Sequence, residues 1–296
     1  MLDDTVCIVA GGGRGLGEAA AVELGEQGAT VVVNDLGAGV DGAGADETPA
    51  RETAARIRDA GGEASVHVGD VTDLDYTADL VADTVADHGR LDGVVNFAGI
   101  LRDAISYKMT GEEWDAVVDV HLRGHFSLLR SAGAHWRAAH DEAEAGFDRQ
   151  RSFLAVTSRS ALGNPGQANY SAAKAGVLGL TRTAARELHR LDVRVNALMP
   201  TAYTRMIEEI PGEDPFDEEE MPPEKVAPMV AYAMSDAATD VTGVTFRAAG
   251  DEIGVVSDPE VIRTGVMTDG WTAEAIAEHF RSVAAGVDLN RADPTF

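Results

Sequence analysis

Short apolar runs rich in β-branched residues alternate with longer segments of helical periodicity along most of the chain. Several runs are apolar at nearly every position, as strands buried on both faces of a parallel sheet are. This alternation predicts an α/β fold, a doubly wound Rossmann-type parallel sheet of about seven strands with helices on both faces. The predicted strands are 5–10, 30–34, 64–68, 93–96, 153–157, 193–198 and 244–247, and the predicted helices are 15–27, 49–60, 73–87, 112–140, 170–190 and 223–235.

A single domain, residues 1–250, contains all the predicted strands. Within it, the glycine-rich segment 36–48 has no apolar face. The segment 201–223 combines prolines with an acidic run, which predicts a mobile lid. The remainder, 251–296, contains one amphipathic helical pattern and is expected to be a C-terminal extension packed on the domain.

The charge balance restricts the partners of this 296-residue chain. With 24 basic and 50 acidic residues, the formal net charge is −26. Nucleic acids and anionic membrane surfaces attract positive faces, so neither is an expected partner. No apolar run approaches the ~20 residues of a membrane span, and the N-terminus lacks the basic segment of a signal peptide. A cytoplasmic protein is expected.

Lysine is scarce, since it supplies only three of the 24 basic residues. An acidic, lysine-poor surface repels itself in dilute buffer, but molar salt shortens the Debye length to ~3 Å. The composition therefore predicts a salt-loving host, with carboxylate-based solubility as the alternative interpretation.

A glycine cluster follows the first predicted strand and opens the first predicted helix. Glycines allow backbone amides to approach a pyrophosphate at the positive end of a helix, which predicts a dinucleotide site. An acidic residue at the end of the second strand, Asp35, can bind ribose hydroxyls and would repel a 2′-phosphate, so NAD is favoured over NADP. Asp70 and Val71, after strand three, are expected at the adenine, with helix capping by Asp70 as the alternative. The predicted loop contacts are Gly11, Gly13, Arg14, Gly15, Leu16 and Gly17.

Tyr170 and Lys174 are four residues apart in a predicted helix, so they share one face. A free phenol has a pKa of ~10. A nearby ammonium favours the phenolate, which would let Tyr170 exchange a proton with an alcohol or ketone during hydride transfer. The acidic residues and histidines show no metal-ligand clustering, and no metal site is predicted.

In combination, these motifs resemble the short-chain dehydrogenase/reductase family. They are GGGRGLG at 11–17, Asp70-Val71, NFAG at 96–99, TSRS at 157–160, the Tyr170/Lys174 pair and Pro200. The resemblance implies a serine that holds the reacting oxygen, a general acid/base tyrosine and a lysine bound to the nicotinamide ribose. It also implies that the cofactor is lined by Asn96, Ala98, Gly99, Pro200 and Thr204, with Thr204 at the nicotinamide carboxamide.

Ala10 stands where the family has threonine and Phe97 where it has a second asparagine, and two further departures concern the catalytic residues. The loop before Tyr170 is one residue short, so Ser158 is aligned with the catalytic serine and Thr157 is the alternative. His121 stands where the family has an asparagine that holds a proton-relay water. A histidine in the relay and a structural histidine are both consistent with that position.

A narrower resemblance is carried by VVVNDLG, AGILRD, VHLRGHF and GNPGQANYSAAKAG. These segments are similar to the (3R)-hydroxyacyl-CoA dehydrogenase unit of peroxisomal multifunctional enzymes. The similarity implies oxidation of a 3-hydroxyacyl-CoA by NAD, in a homodimer or homotetramer. The alternatives are a 3-oxoacyl-thioester reductase and a catalytically silent NAD-binding regulator.

Overall fold

The computed structural model describes residues 1–143, 146–204 and 219–289. It confirms the predicted fold class, because the strands form one sheet in the order β3-β2-β1-β4-β5-β6-β7-β8, parallel except for the β7–β8 pair. The strands are β1 Val6–Ala10, β2 Thr30–Asn34, β3 Glu63–His67, β4 Gly93–Asn96, β5 Arg151–Val156, β6 Val193–Thr201, β7 Thr245–Ala249 and β8 Glu252–Val256.

Helices cover both faces of the sheet, and β1 shows how its sequence divides between them. Cys7 and Val9 pack into one buried cluster, whereas Ile8 and Ala10 pack into the other. Successive strand residues point to opposite faces, so a continuous apolar run supplies both cores. The first cluster lies under α1 Gly15–Glu26, α2 Thr48–Asp59 and α7 Ala227–Met234; the second lies under α3 Leu74–His88, α5 Gly124–Glu142 and α6 Ala168–Leu188.

Two elements differ from the sequence prediction. The single helix expected over 112–140 is α4 Gly111–Val118 and α5, joined by a π-helical turn at Asp119–Arg123. An additional strand, β8, pairs antiparallel with β7. Its apolar residues Ile253 and Val255 are exposed, so the pattern of a buried parallel strand is absent from this segment.

The chain divides into two compact units, Met1–Val256 and a second that begins at Ser257. The second contains α8 Ala273–Val283, capped by Thr272, whose hydroxyl accepts from the Ala275 amide. How this extension packs stays a prediction. Within the described ranges, no helix has the length and apolar character of a membrane span, and no group of three acidic, histidine or cysteine side chains could hold a metal ion.

The order of the strands places the site. From β1 the chain moves outward to β2 and β3, and then crosses to β4 on the other side of β1. Connections therefore diverge above the carboxyl ends of β1 and β4, which is where ligands bind in open α/β sheets. The glycine cluster follows β1, and the NFAG segment follows β4.

Candidate active site

The glycine loop connects β1 to α1 and lies directly against the segment that follows β4. Gly11 has φ +68°, and a Cβ there would collide with the Ala98 amide nitrogen. A Cβ on Gly17 would collide with the Gly11 carbonyl. Helix α1 begins at Gly15, and its N-cap, Arg14, makes no side-chain capping bond. Because amides at a helix start attract anions, this surface fits the pyrophosphate of a dinucleotide.

Asp35 lies beside this loop and is held in place by the backbone. Its carboxylate accepts from the Gly13 amide at 2.8 Å and from the Gly37 amide at 2.7 Å. Arg14 donates through Nη1 to the Ala38 carbonyl at 3.4 Å, within the glycine-rich segment. The loop therefore carries a fixed negative charge next to its glycines.

Asp70 and Val71 lie in the turn after β3. The exposed Asp70 carboxylate accepts from the Thr72 amide at 2.8 Å. The N-cap of α3 is Asp73, which accepts from the Asp75 amide at 2.8 Å. The capping alternative for Asp70 is therefore wrong. Val71 is buried, and a Cβ on Gly124 would lie 2.9 Å from its side chain.

Tyr170 and Lys174 share one face of α6, as their spacing predicts. The Lys174 Nζ lies 5.5 Å from the centroid of the Tyr170 ring. Lys174 is only 4% exposed, and its Nζ donates to the Val156 carbonyl at 2.7 Å, at the end of β5. Burial lowers the pKa of Lys174 to about 7, because removing an ammonium from water disfavours its charged form.

The phenol of Tyr170 experiences opposing effects. Burial raises its pKa, a hydrogen bond from Ser158 lowers it, and the negative charge of Asp103 raises it. In the protein alone the pKa lies above its ordinary value, so the ammonium does not by itself make the phenol a strong base. A positive charge brought in by a ligand would act in the direction that catalysis needs.

The geometry distinguishes the two hydroxyls considered for the serine position. Ser158 adjoins the phenol, since its side chain lowers the pKa of Tyr170, and its Oγ accepts from the Ser160 amide at 3.2 Å. Thr157 is buried, and its Oγ1 donates to the Lys174 carbonyl at 2.8 Å. Thr157 therefore ties β5 to α6, whereas Ser158 adjoins the phenol.

His121 lies in the π-helical turn and contacts Tyr170 edge to face, with ring centroids 4.8 Å apart. Its Nε2 lies 3.1 Å from the Ile100 amide nitrogen and 2.8 Å from the Ile100 carbonyl oxygen. Burial, and secondarily the charge of Lys174, lowers the pKa of His121 well below its usual range. The ring is therefore neutral near pH 7, and its Nδ1 has no partner among the described residues.

The remaining predicted residues surround this centre. Asn96 Oδ1 accepts from the Ala98 amide at 2.9 Å, which fixes the turn after β4. A Cβ on Gly99 would meet the ring of His121. Pro200 lies near the end of β6, beside Ala248 in the sheet.

Two further positions relate to these groups. Leu16 is partly buried against the first core cluster, so it anchors the glycine loop by packing. Thr204 lies opposite Gly15, where an added Cβ would be 3.6 Å from the threonine methyl group. Most of the predicted lid, residues 205–218, lies outside the described residues.

Sequence reasoning missed two residues that hold the centre. Asn169 donates to the carbonyls of Arg102 and Glu113, both at 3.0 Å, and accepts from the Tyr170 amide at 2.8 Å. His125 is fully buried on α5 and bonds to the Val156 amide. The spacing of His121 and His125, one helical turn apart, was a signal that could have drawn attention to the second histidine.

A family model described as enoyl-(acyl carrier protein) reductase matches residues 10–250. The crystal structure of a short chain dehydrogenase from Mycobacterium avium superimposes with a TM-score of 0.83, at 36% identity and over 95% of each chain. The chain belongs to the short-chain dehydrogenase/reductase family. As a short-chain dehydrogenase/reductase, it is an oxidoreductase that acts on CH–OH groups and uses a nicotinamide cofactor.

Two relatives extend this assignment. Hydroxyacyl-CoA dehydrogenase ChsB1 of Mycobacterium tuberculosis is 39% identical over 293 residues, which cover 97% of this short-chain dehydrogenase/reductase and 90% of the relative. Peroxisomal multifunctional enzyme type 2 of Mus musculus is 38% identical over 249 residues, 84% of this chain and 32% of that enzyme.

Proposed function

We propose that this short-chain dehydrogenase/reductase oxidises a 3-hydroxyacyl-CoA to the 3-oxoacyl-CoA with NAD as the acceptor. The observation that carries the proposal is the placement of the Tyr170 phenol beside both the Ser158 hydroxyl and the buried ammonium of Lys174. The similarity to a hydroxyacyl-CoA dehydrogenase over nearly the whole chain supports the class of substrate.

In this proposal each side chain has one task. Ser158 donates a hydrogen bond to the substrate oxygen and orients it toward Tyr170. Tyr170 removes the proton of the alcohol, or returns it to the ketone in the reverse direction. A bound nicotinamide cofactor would supply the acceptor for the hydride of the carbon that carries the hydroxyl group.

Lys174 and His121 act on either side of the phenol. Lys174 holds the nicotinamide ribose, and its ammonium stabilises the phenolate. We place His121 in the proton relay, because Nε2 is occupied by Ile100 while Nδ1 has no partner among the described residues and can bind a water. Because the ring of His121 stays neutral, it orients that water without itself becoming a positively charged imidazolium.

The preference for NAD rests on Asp35. Two backbone amides fix its carboxylate beside the glycine loop, so it can accept from ribose hydroxyls and would repel a 2′-phosphate. Asp70 and Val71 would hold the adenine, and Thr204 would hold the carboxamide.

The assembly and location are also proposals. Exposed aromatic residues on neighbouring helices, Trp114 on α4 and Phe126 on α5, support a homodimer or homotetramer. We infer a cytoplasmic enzyme, with neither nucleic acid nor a membrane as partner. Light scattering of the purified protein tests the assembly; a monomer at micromolar concentration would contradict it.

The decisive experiment measures nicotinamide absorbance with 3-hydroxyacyl-CoAs of several lengths and with simple secondary alcohols, using NAD and NADP. We expect turnover of the thioesters with NAD. Tyr170→Phe should abolish turnover and leave NAD affinity nearly unchanged, whereas Tyr107→Phe, at a tyrosine 81% exposed, should behave as wild type. Faster reduction of 3-oxoacyl thioesters with NADPH would favour the reductase alternative. NAD binding without turnover of any alcohol would indicate a silent regulator.

A further inference from the structure

We infer that His125 is a positioning residue that holds Lys174 and His121 on either side of the reacting phenol. The inference deepens the proposed function and rests on it, because it takes Lys174 to bind the nicotinamide ribose. The sequence analysis assigns His125 no role, although the residue lies within the VHLRGHF segment, and within the described residues its ring makes no hydrogen bond to Tyr170.

The hydrogen bonds of His125 define its protonation. The Val156 amide donates to Nε2 at 3.0 Å, and a backbone N–H can only donate. The ring hydrogen therefore lies on Nδ1, which donates to the His121 carbonyl and also lies 3.1 Å from the side-chain amide nitrogen of Asn96. Burial, with the charge of Lys174 as the second cause, lowers the pKa of His125 to about 3. The imidazole thus stays neutral in a single tautomer across the working pH range.

One residue, Val156, connects His125 to Lys174. The amide of Val156 is held by His125, and the carbonyl of Val156 accepts from Lys174 Nζ at 2.7 Å. No other hydrogen bond of this ammonium is found among the described residues. The orientation of the last peptides of β5 therefore determines where the ammonium lies, and His125 fixes that orientation through the Val156 amide.

The second bond of His125 acts on the π-helical turn. Its Nδ1 holds the carbonyl of His121, whose own ring stacks edge to face on Tyr170. Extra residues in a helical turn leave carbonyls without their usual partners, and such turns recur at functional sites. Here a side chain one turn later satisfies the His121 carbonyl. A single neutral ring thereby ties α5, β5 and the turn together around the phenol.

Four variants test the inference. His125→Leu fills the buried space with an apolar side chain and removes the contacts of the ring with Val156, His121 and Asn96. The amide oxygen of His125→Gln reaches the place of Nε2, whereas the shorter His125→Asn reaches only the place of Nδ1. Ser131→Ala is the matched control. Ser131 lies on the same helix as His125, and its replacement removes a buried hydrogen bond to Thr77 of α3 without affecting the contacts of β5.

The readouts are NAD affinity, kcat, KM and the pH profile of kcat/KM. For His125→Leu we expect at least a tenfold fall in kcat, weaker NAD binding and a rising limb displaced to higher pH, because a loosely held ammonium stabilises the phenolate less. His125→Gln should recover most of the activity and restore the profile, and His125→Asn should resemble His125→Leu. If His125→Leu does not fold, the comparison of Gln with Asn carries the same test.

The inference is overturned if His125→Leu behaves like Ser131→Ala, or if Gln and Asn lose activity equally with an unchanged pH profile. Lys174→Met, measured in parallel, separates this failure from that of the proposed function. Should Lys174→Met retain NAD affinity and turnover, the proposed function itself fails. Should it lose both while the His125 variants match the control, only the role of His125 fails.

Discussion

Replacing Lys174 by methionine should stabilise the folded protein at neutral pH while abolishing turnover. The ammonium is 4% exposed and has the Val156 carbonyl as a partner. No carboxylate is paired with it among the described residues. Methionine is apolar and similar in length, so it fills the space without the penalty of burying a charge.

The magnitude follows from the shift in pKa. The amine of Lys174 titrates at 10.5 in the unfolded chain and at about 7 in the folded protein. Between these values the unfolded state binds more protons, so the free energy of unfolding rises with pH. The lowered pKa of Lys174 thus reduces the free energy of unfolding by about 4 kcal/mol at pH 7 and about 2 kcal/mol at pH 9. Losing the bond to the Val156 carbonyl offsets about 2 kcal/mol at either pH.

Urea unfolding of the cofactor-free protein at pH 7, 8 and 9 measures this effect. At pH 7 Lys174→Met should be more stable than wild type by about 2 kcal/mol, and at pH 9 the two should be nearly equal. Other titrating groups are common to both proteins and cancel in the difference. The matched control is Lys108→Met, an exposed lysine, whose difference from wild type should not change with pH.

A constant difference between Lys174→Met and wild type over this pH range would refute the reasoning. So would a variant that is less stable at pH 7, because the hydrogen bond to Val156 would then outweigh the desolvation of the charge. Either result would mean that the ammonium lies in a wetter environment than its burial indicates.

Four further predictions concern three other residues of the site and the net charge of the protein. Asp103→Asn should shift the rising limb of the pH profile of kcat/KM for oxidation to lower pH, because the charge of Asp103 raises the pKa of Tyr170. No shift, or a shift to higher pH, would contradict this prediction. Asp35→Ser should increase the NADP-to-NAD ratio of kcat/KM by about tenfold, the equivalent of ~1.4 kcal/mol, and steady-state kinetics with both cofactors would show it. Gly11→Ala should abolish NAD binding and lower the free energy of unfolding by about 1–3 kcal/mol. The reason is that its Cβ would collide with Ala98 at a residue with positive φ. NAD affinity equal to that of wild type, measured by calorimetry, would contradict this prediction. The salt-loving character predicted from the net charge of −26 should appear as a higher melting temperature in molar KCl than in dilute buffer, and equal temperatures would reject it.

Patterns among residues close in sequence were sufficient to predict the strand, turn and helices that carry the site. The apolar run of β1 and the glycines after it determine a strand, a turn and a helix start within a few residues of one another. The spacing of Tyr170 and Lys174 fixes their common face, because an α-helix repeats every 3.6 residues. Each of these inferences depends on neighbours in sequence, and the structure places the Tyr170 and Lys174 side chains as their spacing predicts.

Long-range contacts decided what the sequence left open. Ser158 and Thr157 are adjacent hydroxyls, and only the position of α6 against β5 determines which adjoins the phenol and which bonds to the Lys174 carbonyl. The exposed strand β8 forms through pairing with β7, so it lacks the apolar pattern of a buried strand. The sequence by itself thus determined the fold class and the pairing of phenol with ammonium, since both follow from periodicity. Tertiary structure decided which groups surround that pair, because hydrogen bonds between distant segments depend on how strands and helices pack.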